Sequence, residues 1–174
     1  MLPIEKYATQ MATHQRSREA ILSGAKKVIA EVGSYESNMM NIATRAEISR
    51  ATIYNHFADR EEMMIGIVES EINRLTEVAM NADSKSESLF LLSREISADP
   101  ALAKMVETDH DDMVKLVTIS DHPLWITVHR NLADVFGANE NNVGLILRWL
   151  LAQFTSPLSE SQSKVQAEKL ASLL

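Results

Sequence analysis

Hydrogen-bonding side chains crowd into one short segment, residues 50–56, which reads Arg-Ala-Thr-Ile-Tyr-Asn-His. Few of these side chains suit a protein core, whereas most can donate or accept hydrogen bonds at DNA phosphates or at base edges. Ser49, just before the segment, is a good helix N-cap, so we predict a helix from Arg50 to about His56. A short polar helix of this kind suits the major groove of DNA.

The element that must position this helix precedes it in the chain. Apolar residues recur there at helical spacing, namely Met39, Ile42, Ala43 and Ala46. Residues 47–49 interrupt the pattern, and we expect Ile48 to pack inward and fix the angle between the two helices. Two helices joined by a turn of this length predict a DNA-binding helix-turn-helix.

The ordered set of motifs resembles the TetR-type one-component repressors. Its pieces are the helix-turn-helix string, Ile53-Tyr54-Asn55-His56-Phe57, Asp59-Arg60-Glu61-Glu62-Met63 and, in the first helix, Arg18-Glu19-Ala20-Ile21-Leu22 and Gly24-Ala25 with the closing Gly33. The resemblance covers residues 16–65, and it is specific because the pieces occur together at matching spacing. Glu47 stands where the turn of this family usually has glycine, and a left-handed conformation there would cost about 1 kcal/mol.

The resemblance also implies which residues meet DNA. The implied phosphate ligands are Tyr54, His56 and Arg60, assisted by Arg45 and Asn38. The implied groove-facing residues are Arg50, Ala51, Thr52 and Asn55. Thr52 can offer its methyl group to thymine and its hydroxyl to a base or a phosphate. Tyr54 could instead be a core aromatic residue, but Ile53 and Phe57 already supply that face.

Composition places the chain among helical globular proteins. The 174 residues include only five glycines and four prolines, and strand-type alternation is almost absent, so we predict an all-α fold. The absence of cysteine excludes disulfides and thiolate chemistry. No stretch approaches the roughly 20 apolar residues of a membrane span, and the N-terminus lacks the apolar core of a secretion signal. We therefore expect a cytoplasmic protein without membrane contact.

The charge is divided unevenly along the chain. Residues 1–65 carry eight Lys and Arg against eight Asp and Glu, whereas the remainder carries nine against sixteen, which accounts for the net charge of −7. A neutral DNA-binding part should have modest non-specific affinity, so its phosphate contacts must come from a few placed residues. The acidic remainder favours solubility.

A series of amphipathic helices follows the predicted helix-turn-helix. We expect one long helix through residues 63–79, a polar linker at residues 81–86 and a helix around residues 89–96. Asp99-Pro100 and His122-Pro123 are start signals for further helices, and another should run from about Asp111 to Ile119. These elements predict a DNA-binding domain at residues 1–62, with its core at 16–62, and a helical effector-binding and dimerisation domain at residues 63–174.

The last two helices carry continuous apolar stripes, the first between Val143 and Phe154 and the second between Val165 and Leu174. Leu145 and Trp149 lie off the main stripe of the first, so this helix should be buried on nearly all sides. A self-contained core could bury it. The resemblance instead implies a homodimer formed through the last two helices, which would pair two DNA-binding domains on a palindromic operator.

The helical remainder also holds residues suited to a small apolar effector. They combine aromatic, thioether and polar groups on predicted inner faces: Phe90, Met105, Met113, Trp125, His129 and Trp149. An ordinary core made of the same residues is an equally good interpretation. The sequence identifies no ligand.

Catalysis and metal binding have little support in the sequence. His110 lies among Asp109, Asp111 and Asp112, a run that is more typical of a solvated helix start than of a cation site. No nucleophile–base pair or phosphate-binding glycine loop occurs, and we expect neither a cofactor nor enzyme activity. The sequence thus predicts a dimeric, ligand-responsive repressor that binds double-stranded DNA; the alternatives are a helical interaction scaffold and a constitutive DNA-binding regulator.

Overall fold

The computed structural model describes residues 3–118 and 122–174, and throughout these ranges the regular structure is helical. The helices of the described residues are α1 (Pro3–Val32), α2 (Met39–Arg45), α3 (Arg50–His56), α4 (Arg60–Met80), α5 (Lys85–Ser97), α6 (Pro100–Thr108), α7 (His110–Val117), α8 (Pro123–Phe136), α9 (Glu140–Thr155) and α10 (Glu160–Ala171). The all-α prediction is confirmed. None of the described helices is long and apolar enough to span a bilayer.

The chain forms two compact units that divide inside α4, between Val68 and Glu69. The N-terminal unit has a small apolar core in which α1, α2, α3 and α4 each bury side chains. Those at most 1% exposed include Ile21, Ile42, Ile53, Phe57 and Met63. Burying a large aliphatic or aromatic side chain contributes about 1.5–3 kcal/mol, so this core can hold helices that are too short to be stable alone.

Helix α1 lies close to the end of α2 because Gly24 has no side chain. A Cβ atom at Gly24 would lie 2.9 Å from the Cβ of Ala46 and 3.1 Å from its backbone nitrogen. Any larger residue would therefore push α2 away from α1. Helix α1 ends at Gly33, which adopts φ 85° as a left-handed terminator, as the sequence predicted.

Local hydrogen bonds set the boundaries of α2 and α3. Asn38 caps α2 through its side chain, which accepts from the amides of Met40 and Asn41, both at 3.0 Å. Ser49 caps α3 by accepting from the amide of Thr52 at 3.0 Å, and α3 runs from Arg50 to His56, the range that its sequence predicted. Each cap contributes about 1 kcal/mol to helix stability.

The turn between α2 and α3 contains a strained residue. Glu47 has φ 56°, the left-handed conformation that the glycine of related turns adopts at no steric cost. Among the described residues no other non-glycine has a positive φ. The half-buried Ile48 follows, and its amide donates to the carbonyl of Ala43 at 3.0 Å, which closes the turn.

The C-terminal unit surrounds a larger core. Helix α5 packs against α9 and α10, and α8 packs against α9. The most buried members of this core include Leu89, Leu92, Phe136, Val143, Ile146 and Leu147. Helices α5 and α10 meet through small residues, since the hydroxyls of Ser93 and Ser163 lie 2.8 Å apart in a buried contact.

Start and stop signals in the sequence are matched by the observed helix ends in this unit. Asp99 caps α6 with Pro100 at its first position, and Gly137 ends α8 with φ 56°. The expected linker at residues 81–86 is shorter than predicted, because Ser84 caps α5 and Lys85 begins it. Helix α7 begins one residue early, at His110, and its expected end at Ile119 lies outside the described residues.

We expect Glu47→Gly to stabilise the N-terminal unit by about 1 kcal/mol, because glycine adopts the left-handed conformation without the Cβ clash. Urea unfolding of the variant measures this gain. Glu47→Ala is the matched control, since alanine removes the carboxylate but keeps the strained Cβ. Equal stability of the glycine and alanine variants would show that the turn stores no backbone strain.

Candidate DNA-binding surface

Helix α3 divides its side chains between the core and solvent. Ile53 is fully buried, and Phe57, directly after the helix, is 1% exposed. The side chains that point away from this contact are exposed or partly exposed, namely Arg50, Ala51, Thr52, Tyr54, Asn55 and His56. The outer surface of α3 therefore consists almost entirely of hydrogen-bonding groups, and the core contact holds it in place.

Two contacts order the exposed side chains of α3. The guanidinium of Arg50 lies 5.7 Å from the ring centroid of Tyr54, one helical turn away, within the range of a cation–π interaction. Tyr54 is nonetheless 45% exposed, so a large part of the residue is accessible to a ligand. The hydroxyl of Thr52 lies 2.8 Å from that of Ser49, which restricts its rotation. These side chains are partly preorganised before any ligand arrives.

Asn38 and Arg45, expected to assist in phosphate binding, each have a partner within the domain. Asn38 is exposed, but its carbonyl oxygen serves as the cap of α2. Arg45 forms an ion pair with Glu31 of α1, and both side chains are about half exposed. A surface pair of this kind contributes at most about 1 kcal/mol, so a phosphate can compete for Arg45.

Arg60 has a structural role that sequence reasoning missed. At the first position of α4, it donates from Nε to the carbonyl of Ser37 at 3.2 Å and from Nη2 to the carbonyl of Ser34. The two serines lie in the turn after α1 and are almost fully buried. Arg60 thereby holds the start of α4 against this turn, and its proposed phosphate contact would have to use its remaining N–H groups.

His56 is half-buried at the end of α3, with its ring centroid 4.1 Å from that of His14 in α1. Its Nδ1 atom is buried and has no hydrogen-bond partner among the described residues. Burial lowers the pKa of His56 below its ordinary value, and the adjacent His14 and Arg18 lower it further. Near neutral pH, His56 is therefore an uncharged ring, and any phosphate contact it makes would use a neutral N–H donor.

His14 was not identified from the sequence, although a signal for it exists. It lies one turn before Arg18, whose guanidinium stacks 4.5 Å from the ring centroid of Phe57. Leu22, one turn further on, is 8% exposed. The spacing of four residues places all three on the face of α1 that packs against α3 and its C-terminal end.

The six residues expected to bind an effector lie in the C-terminal unit and are all at least partly buried. Phe90, Trp125 and Trp149 pack against the core of this unit, whereas Met105 of α6 and Met113 of α7 are 7% and 4% exposed. Trp149 also donates from Nε1 to Gln166 of α10 at 2.8 Å. In the described part of the chain, no group of three His, Asp or Glu side chains is placed to hold a metal ion.

The N-terminal unit matches a known family of regulators. Residues 21–67 match the family model described as bacterial regulatory proteins, tetR family. This range contains the helix-turn-helix and most of the residues on which the sequence resemblance rested. No curated protein sequence matches the chain.

Solved structures share the fold over nearly the whole chain. A TetR-family transcriptional regulator from Mesorhizobium loti is 19% identical with a TM-score of 0.59, and the alignment covers 92% of this chain and 95% of that protein. The TetR-family repressor AlkX from Dietzia sp. is 17% identical with a TM-score of 0.63, covering 90% and 94%. The regulator FadR from Bacillus subtilis, solved with stearoyl-CoA, is 19% identical with a TM-score of 0.52, covering 89% and 96%.

These likenesses confirm the resemblance seen in the sequence. The matched family and the similar structures are transcriptional regulators rather than enzymes. Residues 21–67 therefore form a helix-turn-helix DNA-binding domain of the TetR family, and the chain as a whole has the fold of the TetR-family transcriptional regulators.

Proposed function

We propose that the protein represses transcription by binding a palindromic operator as a homodimer, and that a small effector releases it. The observation that carries the proposal is the outer surface of α3, where Arg50, Tyr54 and Asn55 are exposed on a helix whose other side is buried through Ile53. An interaction scaffold would gain nothing from this concentration of base- and phosphate-binding groups on one short helix.

The charge distribution supports sequence-selective binding. The first 65 residues carry no net charge, so non-specific attraction to the DNA backbone is modest and placed contacts must supply the affinity. In this proposal Tyr54, His56, Arg45 and Asn38 contact phosphates. Arg50, Ala51, Thr52 and Asn55 face the base edges of the major groove, and Arg60 orients α4 while offering its remaining N–H groups to the backbone.

Selection from a random duplex library followed by titration tests DNA binding. We expect a palindromic site whose affinity falls steeply as salt rises, because phosphate contacts release counterions. Tyr54→Ala should weaken binding to every duplex, since it removes a phosphate contact. Thr52→Ala should relax the preference at one base pair by about 1–3 kcal/mol.

Two matched variants separate these effects from general damage to the domain. Tyr35→Ala removes another surface tyrosine, 80% exposed in the turn after α1, and should leave affinity unchanged. Thr52→Val keeps the methyl group but loses the hydroxyl, so it tells a thymine contact from a hydrogen bond. If Tyr54→Ala and Thr52→Ala both behaved like Tyr35→Ala, α3 would not be the DNA-binding helix.

The outer face of α9 supports a homodimer. One side of the helix contributes Val143, Ile146 and Leu147 to the core of its own unit. On another side, Leu145 is 51% exposed, and on the neighbouring α10 Val165 is 50% exposed. A self-contained core thus accounts for only part of the apolar surface of α9, and a second copy could cover the remainder.

Leu145→Glu should convert the dimer to a monomer, because it places a charge on the proposed contact without touching the buried side of α9. Sedimentation analysis measures the change, and operator affinity should fall with it, since two linked domains bind two half-sites together. Ile126→Glu is the matched control, as Ile126 of α8 is also an exposed apolar residue, at 63%. An intact Leu145→Glu dimer would place the interface elsewhere.

The proposed effector is a small, largely apolar molecule bound in the C-terminal unit. The FadR protein of Bacillus subtilis, which shares the fold, was solved with stearoyl-CoA, a ligand with a long apolar chain. In this chain the proposed binding residues are Phe90, Met105, Met113, Trp125, His129 and Trp149. Aromatic rings and flexible thioethers suit an apolar ligand of variable shape.

A ligand at this position should change tryptophan fluorescence, because both tryptophans of the chain belong to the proposed set. The same ligand should weaken operator binding, with a coupling of about 1–3 kcal/mol, and operator DNA should weaken ligand binding by the same factor. Trp125→Phe, which keeps an aromatic ring, is the control that shows whether the fluorescence change comes from Trp125 or from Trp149. Ligands that bind without altering operator affinity would favour a constitutive regulator.

A further inference from the structure

The end of α3 depends on contacts from α1. Helix α3 has only seven residues, and Phe57 leaves it in an extended conformation with φ −140°. Two helical turns are too few to be stable alone, so contacts from residues outside the helix must fix both ends. Ser49 secures the first end through its cap. At the other end, the rings of His56 and His14 form a tilted stack, with the centroids 4.1 Å apart and an interplanar angle of 45°.

We propose that His14 is a positioning residue for DNA binding: stacked on His56, it holds the C-terminal end of α3 in the orientation at which Tyr54 and Asn55 reach the duplex. The inference rests on the proposed role of α3 as the DNA-binding helix. His14 acts through His56, and its own ring, although exposed, is not assigned to a phosphate.

The stack requires an uncharged His56. His14 and Arg18, both on α1, are the groups whose charge acts on this ring, and neither can neutralise an imidazolium. On the side of α4, Gly66 faces the ring of Phe57 and the guanidinium of Arg18. The carboxylates that follow α3 are engaged locally: Asp59 accepts from the amide of Glu62 at 2.9 Å, and Glu62 accepts from the amide of Ala58 at 2.6 Å.

A proton on His56 would therefore oppose the stack. The buried Nδ1 atom has no acceptor among the described residues for an added N–H. The charges of His14 and Arg18 also oppose a positive charge on His56. Because the pKa of His56 is lowered in the folded protein, the contribution of the stack is complete above the ordinary histidine pKa. It is lost as the pH falls through the lowered value.

The experiment compares operator affinities of the wild-type protein, His14→Ala and His14→Phe, measured by fluorescence anisotropy at about pH 7.5 and about pH 5.5, on either side of the ordinary histidine pKa. At the higher pH, His14→Ala should bind about threefold to tenfold more weakly, the change expected from loss of one ring–ring contact. His14→Phe should retain most of the affinity, because it keeps a ring in the stack.

The pH profile distinguishes positioning from a general structural role. Between the two pH values, wild-type affinity should fall more than that of His14→Phe, which keeps the ring but cannot repel a protonated His56. Gln15→Ala, at an exposed neighbouring position of α1, should follow the wild type at both pH values. Circular dichroism of each variant checks that the helices remain formed.

Three results would overturn the positioning role. One is equal affinity of His14→Ala and the wild type at both pH values. Another is a His14→Phe variant as weak as His14→Ala at the higher pH. The third concerns the slope of the logarithm of affinity against the logarithm of salt concentration. If this slope were smaller by about one in His14→Ala than in the wild type, His14 would contact a phosphate directly. Failure of the wild-type protein itself to bind any duplex would refute the proposed function, and the positioning role with it.

Discussion

The candidate DNA-binding surface depends on the burial of Ile53 and Phe57. Helix α3 is too short to hold its own shape, and these two side chains, fully buried and 1% exposed, attach it to the N-terminal core. Once they are buried, the helical period dictates that Arg50, Tyr54 and Asn55 turn outward. The polar surface is therefore a geometric consequence of an apolar contact, and its position is as fixed as the core beneath it.

Close contacts within the N-terminal unit hold this arrangement in place. Gly24 lets α1 approach Ala46, and Arg60 ties the start of α4 to the carbonyls of Ser34 and Ser37. Glu47 adopts a left-handed conformation that costs a non-glycine residue about 1 kcal/mol. The turn accepts this cost because the caps of Asn38 and Ser49 and the hydrogen bond from the amide of Ile48 to the carbonyl of Ala43 fix both ends of the turn.

In the C-terminal unit, α9 has both a buried apolar side and an exposed apolar side. Helix α9 is apolar on more than one side, and the core takes only the side that carries Val143, Ile146 and Leu147. Gln153 on the same helix is 2% exposed, yet its side chain donates to the carbonyl of Trp149 and accepts from the amide of Leu158. The buried amide thus closes the end of α9 against the following loop, while Leu145 stays available to a second surface.

The helical class, the helix-turn-helix and the ends of most helices can be predicted from the sequence, because they follow from local chemistry. The caps at Ser49 and Asp99, the glycine terminators at positions 33 and 137, and the helical spacing of apolar residues all act within a few positions of the chain. The resemblance to a regulator family was readable for the same reason, since its motifs are contiguous and lie in one short region.

Which polar side chains already have hydrogen-bond partners within the protein depends on the tertiary structure. The position of Arg60 in a motif predicts a phosphate ligand, but its carbonyl partners lie more than twenty residues earlier in the chain. The pairing of His14 with His56 joins residues 42 positions apart, and burial then lowers the pKa of His56. Such contacts depend on how α1 packs against α3 and α4. The local periodicity of the sequence cannot predict which side chains of these helices come into contact.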